Sequence, residues 1–230
     1  MTKLSIIIPI YNEADTIANL LNYLLNTTSE KNISEIIIVD GGSTDDSIKI
    51  VSTFKNITLI HSEKGRAKQM NIAAKQASGN ILYFLHADSF PPKNFDNLII
   101  DEVNKGHLAG CFKMQFDSNH WWLQLMGWFT KFPWFICRGG DQSLFVTKEL
   151  FQKIGGFNES YIIYEDNIII KKLFTSTSFK VIQKSILTSA RLYKKQGVWK
   201  LQYHFFIVHL KYWLGADAKA LHTYYKKHIG

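Results

Sequence analysis

The chain has 230 residues, 46% hydrophobic and 20% charged, which is enough apolar material for one large core. Lys and Arg (27) outnumber Asp and Glu (19) for a net charge of +8, favouring anionic partners: a nucleotide diphosphate, an acidic membrane surface or nucleic acid. Two cysteines (Cys111, Cys137) without metal spacing, four prolines and no low-complexity run argue against a disulfide scaffold, a metal knuckle or a disordered linker, and predict reduced thiols in a cytoplasmic protein.

In chain order, Leu4 to Ile10 predicts a strand, too short and too soon followed by Asn12, Glu13 and Asp15 to be a signal peptide. Ala14 to Leu25 carries Ile17, Leu20, Leu21, Leu24 and Leu25 on one helical stripe. Ile33 to Val39 predicts a strand closing on Asp40, and Gly41–Asp46 a turn into a helix reaching about Phe54. Ile57 to Ile60 predicts a third strand, and a helix opened by Arg66 runs through Ala77 to a Ser78-Gly79 stop. A buried strand from Ile81 then ends in His86-Ala87-Asp88. Strand and helix alternate three times before this fourth strand, which predicts an α/β fold: a mainly parallel, Rossmann-like sheet with helices on both faces.

Beyond Asp88, helices are expected over Phe95–Val103, the start of Trp121–Phe135, and Glu165–Phe174. Strands are expected over Leu108–Phe116, Ser143–Val146, Phe179–Ile182 and Ile186–Tyr193. Two terminal helices, Val198–Leu214 and Ala216–Lys227, divide the chain into a domain over 1–195 and a helical extension over 196–230. No stretch reaches about 20 apolar residues, so no membrane span is predicted. Val198–Leu214 instead puts Lys200, His204 and Lys211 on one side and Leu201, Phe205, Val208, Tyr212 and Trp213 around the rest. Such a helix suits either an anionic membrane surface or packing on the sheet. The dense aromatics from Trp121 to Phe135 suit core packing, a stacking wall for a sugar, or a lipid-facing patch. His204 and His209, five apart, do not share a metal-binding face and are read as structural.

Open parallel sheets bind ligands at the carboxyl edge of their strands, so polar residues there are the first candidates for chemistry. Asp40-Gly41-Gly42-Ser43 is either a βα turn with a cap or the wall of a nucleotide pocket. A carboxylate only accepts hydrogen bonds, so Asp40 suits the imide N–H of a uracil. Lys64-Gly65-Arg66 is either solvated charge or a cationic helix start suited to a base or diphosphate. His86-Ala87-Asp88 is either a core histidine with a capping Asp or a one-carboxylate site for Mg²⁺ or Mn²⁺, with phosphate oxygens as the other ligands. Glu165-Asp166 is either a dipole complement in a first helical turn or the seat of a general base. Asp141-Gln142 is either loop polarity or an acceptor-binding pair.

Taken together, these stretches resemble the family 2 glycosyltransferases of GT-A fold. The resemblance rests on Ser5–Glu13, Val39–Asp45, Lys64-Gly65-Arg66, His86-Ala87-Asp88 and Glu165-Asp166, and covers residues 3–175. It is nearest a small bacterial subgroup with His-Ala-Asp in place of Asp-x-Asp, matched again at Gly140-Asp141-Gln142 and at Ser189-Ala190-Arg191 through Gly197-Val198-Trp199. It implies an inverting, metal-dependent transfer from a nucleotide-diphosphate sugar, expected to be UDP-linked, to a hydroxyl acceptor, free or lipid-linked. Pro9, Tyr11, Glu13, Asp40, Gly41, Lys64, Arg66 and Ala87 would then line the nucleotide site, and Asp88 would hold Mg²⁺ or Mn²⁺. Asp166 would be the base, with Asp141, Gln142 and Glu165 near the acceptor. Nucleic acid is not an expected partner. Three features depart from the pattern: His86 stands for a first Asp, Ile168 replaces an acid, and the Gln-x-x-Arg-Trp motif of processive synthases is absent. Two rivals remain, a nucleotidyltransferase and a non-catalytic nucleotide- or membrane-binding module. The first normally carries a glycine-rich basic loop after its first strand, where this chain has Pro9-Ile10-Tyr11-Asn12-Glu13.

Overall fold

The computed structural model describes residues 2–229. Four apolar runs form the parallel half of one sheet: β1 (Leu4–Ile10), β2 (Ile33–Asp40), β3 (Ile57–His61) and β4 (Ile81–Phe84). The helices between them are α1 (Ala14–Thr27), α2 (Ser47–Val51) and α3 (Arg66–Gln76). Alternate residues feed opposite faces, as strand geometry requires. Ile7, Ile37 and Leu82 pack with Met70, Ala73 and Ala74 of α3, whereas Ile6, Ile8, Ile38 and Tyr83 pack with Ile17, Leu20 and Leu21 of α1. Helices therefore cover both faces, and β1, the Ile36–Val39 end of β2 and β4 are mainly apolar because both of their sides are buried, whereas β3 at the sheet edge is only half-buried.

The full strand order is β3-β2-β1-β4-β7-β6-β8-β5. The chain winds outward from β1 to β3 and then returns to place β4 on the other side of β1, so the crevice of this sheet opens beyond the ends of β1 and β4. The outer half is mixed. β7 (Leu144–Thr147) runs antiparallel to β4, and β6 (Ala109–Phe116) antiparallel to β7. β8 (Phe179–Thr188) runs parallel to β6, and the two-residue β5 (Ser89–Phe90) caps its end. The helices α4 (Phe95–Asn104), α5 (Trp121–Phe129), α6 (Lys148–Lys153) and α7 (Glu165–Ser176) join these strands.

Two expectations are corrected here. Phe179–Ile182 and Ile186–Tyr193 are not separate strands. One strand continues through exposed Gln183 and Lys184, where the register with β6 shifts between Phe112 and Lys113. The bulge interrupts the apolar pattern without interrupting the ladder. The strand stops at Thr188, and Arg191–Gln196 forms α8, so Leu192 and Tyr193 belong to a helix.

The second correction concerns the terminal helices α9 (Val198–Trp213) and α10 (Ala218–His228). Leu201 and Val208 of α9 are buried, and Phe205 and Tyr212 rest against Tyr193 and Tyr164. This part of the apolar circumference is a packing face. A different stripe, Trp199, Tyr203, Phe206 and Trp213, stays outward. No described helix is long and apolar enough to cross a membrane.

Candidate active site

The loops after β1 and β2 are sewn together before any ligand arrives. The backbone N–H groups of Asn12 and Glu13 donate to Ser43 and Ser47 Oγ (2.9 and 2.8 Å), and Thr44 N–H donates back to Asn12 Oδ1 (2.8 Å). Behind them buried Gln69 of α3 donates to a carbonyl near the end of each strand, Ile10 (2.9 Å) and Val39 (2.6 Å). One side chain thus ties the ends of both strands to α3, adding to the Gly41 N–H that Ile10 O already accepts (3.0 Å). Asp40 is 1% exposed, and its carboxylate accepts the N–H groups of Gly42 (2.9 Å) and Ser43 (3.1 Å). Its charge is spent on its own loop, away from the cleft wall where a uracil contact was expected, and Gly41 packs against Gln69.

Pro9, Tyr11, Glu13, Lys64, Arg66, Asp141, Glu165 and Asp166 do converge, on a cleft of about 590 Å³ at the predicted crevice. Lys64 Nζ sits 3.5 Å over the Tyr11 ring. Arg66 reaches to 3.6 Å from Glu165 Oε1. Burial opposes the charge of Arg66, but Glu165, Asp166 and Asp141 hold its proton more firmly than usual.

His86 occupies the middle. Its Nδ1 lies 3.3 Å from Asp141 Oδ1 and its Nε2 3.9 Å from Asp166 Oδ2. Burial and Arg66 pull its pKa down, yet the Asp141 contact and the charges of both acids carry it above the ordinary value. Burial also raises Asp166 and Glu165, the latter to about 7. Asp141 is instead lowered, because His86 and Arg66 outweigh its desolvation. Two adjacent acids thus differ in access: Glu165 is 1% exposed, with Oε1 lacking a hydrogen-bond partner, while Asp166 faces His86 in the cleft.

Ala87 and Asp88 border an adjoining cavity of about 440 Å³ that shares Pro9, Glu13, Arg66, His86 and Asp141 with the first. Arg191, at the start of α8, closes it. Arg191 Nη2 lies 2.6 Å from Glu13 Oε1 and 3.7 Å from Asp88 Oδ2. Burial raises the Asp88 pKa, with Asp141 adding to it and His86 and Arg191 opposing. A carboxylate destabilised in this way suits an incoming cation. The donor set is sparse, because Arg191 engages Glu13 and Asp141 faces His86. Among the described residues no group of three or more His, Cys, Asp or Glu is arranged to hold a metal by itself. The site therefore fits a divalent ion that takes one carboxylate from the chain and its other ligands from phosphate and water.

Several supports were not legible as site residues. Buried Arg138 donates to Gln142 Oε1 (2.6 Å) and to the carbonyls of Thr130 (2.5 Å) and Phe132 (2.7 Å), fixing the loop that presents Asp141. Gln142, expected at the acceptor, is consumed by Arg138 and by Cys137 O (2.6 Å) and braces the wall behind. Asn71 of α3 both donates to and accepts from the backbone of Phe157 (2.9 and 3.0 Å), anchoring the loop before α7. Tyr164 precedes Glu165 with φ +70°, a conformation uncommon for a bulky residue, and is held by His209 Nδ1 (2.7 Å) and the Tyr212 ring (4.7 Å). Gly140 packs so closely that a Cβ there would overlap Asp166 Oδ2 and stand 2.9 Å from His86 Cε1. The only signal for Arg191 is its place in the matched Ser189-Ala190-Arg191, and for Gly140 its place in Gly140-Asp141-Gln142.

The family model described as Glycosyl transferase family 2 matches residues 5–167. The poly(ribitol-phosphate) beta-N-acetylglucosaminyltransferase TarS of Staphylococcus aureus is 34% identical over 96 residues, which are 39% of this chain and only 17% of that relative. Residues 1–349 of TarS in complex with UDP-GlcNAc superpose with a TM-score of 0.70 at 23% identity, covering 82% of this chain and 58% of that one. The mannosyltransferase PcManGT from Pyrobaculum calidifontis, in complex with GDP-Man and Mn²⁺, superposes with a TM-score of 0.71 at 20% identity, covering 97% of this chain and 69% of that one. At these identities the structural likeness is one of fold.

Proposed function

Since the chain belongs to glycosyl transferase family 2, we propose that its cleft transfers a sugar from a nucleotide diphosphate to an acceptor hydroxyl, with inversion at the anomeric carbon. The observation that carries this reading is the meeting, at one sheet edge, of a cationic wall with the His86–Asp141–Asp166 cluster, in which His86 and Asp166 are largely enclosed and Asp141 stands at the open side. Arg66, Lys64 and Arg191 supply fixed positive charge where a departing diphosphate would gather negative charge, and they need no reorganisation as it does so. Asp88 would hold Mg²⁺ or Mn²⁺, which when bound adds further neutralisation of that leaving group. Asp166 accepts the proton of the acceptor hydroxyl as its oxygen bonds to the anomeric carbon and the carbon–phosphate oxygen bond breaks. Burial raises the pKa of that carboxyl, and His86 and Arg66 oppose the rise by favouring its ionised form. Holding both reactants in one cleft supplies much of the remaining rate.

The donor base is proposed to be uracil, as in the TarS complex; the guanosine donor of PcManGT makes the base a point to measure. Calorimetry with UDP, GDP and ADP should give tightest binding to UDP, and equal affinity for all three would remove the uracil assignment. Turnover of the preferred nucleotide sugar should fall roughly 10²–10⁴-fold in Asp166→Asn with nucleotide affinity retained. Near-normal turnover in that variant, with loss in Asp141→Asn or Glu165→Gln, would move the base elsewhere.

A further inference from the structure

All six tryptophans fall in two segments, Trp121–Trp134 and α9. Five of them, Trp121, Trp128, Trp134, Trp199 and Trp213, are 50–60% exposed. On α5, Trp121, Leu125 and Trp128 stand on one helical stripe. On α9, Trp199, Tyr203, Phe206 and Trp213 form another, spaced four, three and seven residues apart. The stripes touch, with Trp121 and Trp199 ring centroids 5.9 Å apart. Soluble surfaces scatter such side chains singly, and a contiguous aromatic face marks an interaction site.

The charges beside this face are of one sign. Lys131 lies 3.6 Å over the Trp128 ring, and Lys200 and Lys211 flank the α9 stripe about a quarter turn away with His204 between them. α9 thus has three sides: Leu201 and Val208 buried, an aromatic stripe outward, and a basic edge. Tryptophan and tyrosine with flanking lysine is the composition that settles at a bilayer interface rather than in a protein core.

Between the stripes a groove of about 530 Å³ opens, walled by Met126, Phe129, Ile136 and Phe206. Its inner end is lined by Asp141 and His209, which also line the catalytic cleft. A groove that is apolar at its outer end and polar at its inner end, where Arg138, Gln142 and Asn167 join its wall, therefore runs from the aromatic face to Asp141.

We propose that the α5–α9 face seats on an anionic membrane surface and that the acceptor is a membrane amphiphile, its apolar chain in the groove and its hydroxyl at Asp166. The acceptor half of this proposal rests on the transfer reaction above; the membrane half does not. The tryptophan and lysine composition selects a bilayer over a second copy of the chain, because a self-complementary contact would bury Lys131, Lys200 and Lys211 against their own copies.

The test is co-sedimentation of the full chain with vesicles of phosphatidylcholine alone or with 30% phosphatidylglycerol, at low and high salt, with UDP affinity measured on the same preparation. Binding should be strongest to the anionic vesicles at low salt, fall several-fold at high salt, and fall at least tenfold in Trp199→Ser/Tyr203→Ser while UDP affinity stays unchanged. Pelleting with neither vesicle at either salt overturns the membrane assignment. So does a dimer in sedimentation velocity that the same double substitution dissolves. Unchanged vesicle binding in the double variant overturns the choice of face. For the groove, dodecyl maltoside below its micellar concentration should bind saturably and maltose should not. Phe206→Arg should abolish that binding, and no saturable binding to wild type overturns the amphiphile assignment. Loss of UDP binding with vesicle binding intact would instead fault the transfer reaction.

Discussion

Glu165 gives the sharpest quantitative expectation. Its carboxyl is 1% exposed, and burial together with the Asp166 charge raises its pKa from 4.5 to about 7 although Arg66 lies 3.6 Å away. An acid whose folded pKa is raised contributes stability that is fully present below its unfolded value and is lost as pH rises through the folded value, because the native state there binds a proton the unfolded chain has released. At about 1.4 kcal/mol per pH unit, the interval from 4.5 to about 7 amounts to about 3 kcal/mol. Glu165→Gln preserves the shape and never ionises, so it escapes this loss. Its stability relative to wild type should therefore climb by about 3 kcal/mol between pH 4.5 and pH 8, with most of the change between pH 5 and 7. Urea unfolding of both proteins across that range, followed by tryptophan fluorescence, measures the difference while cancelling titrating groups remote from the Glu165–Asp166 pair. With a slope of about 3 kcal/mol per molar urea, the midpoints should separate by about 1 M across the series. A difference that stays flat with pH, or narrows as pH rises, would refute the claim that the folded state holds this carboxyl neutral.

Two further expectations follow from the same geometry. Gly140→Ala drives a methyl group into Asp166 and against His86, so turnover should drop roughly 100-fold for a displacement of about an ångström, while stability falls by only about 1–3 kcal/mol and UDP still binds; wild-type turnover would show that Asp166 need not stand where it does. Arg191→Gln removes a half-exposed guanidinium paired with Glu13 and near Asp88, so thermal stability should change by about 1 kcal/mol or less and UDP affinity should fall about tenfold. Asp88→Asn should weaken UDP binding only when Mn²⁺ or Mg²⁺ is present. A chelator-insensitive effect would assign Asp88 to Arg191 and not to a metal.

The sequence by itself determined everything that depends on short-range periodicity. The apolar runs at Ile6–Ile10 and Ile36–Val39 require strands buried on both faces, and the stripe from Ile17 to Leu24 requires a helix over one of those faces. With the parallel order set, Pro9–Glu13, Arg66 and His86–Asp88 had to emerge at one edge. Tertiary structure decided which side chains meet there. His86 turns to Asp141 and Asp166, Asp40 folds back onto its own loop, and Gln142 is drawn into the wall by Arg138. Arg191 reaches Glu13, 178 residues earlier in the chain. Nor could periodicity divide the apolar circumference of α9, because Leu201 and Trp199 are both apolar in sequence and only the packing of α9 against α8 and α10 leaves one buried and the other half-exposed. The kind of element is written locally because each residue's face follows from the repeat of its own strand or helix. Pairing of charges is not, because it depends on where distant loops come to rest and which donor is nearest when they do.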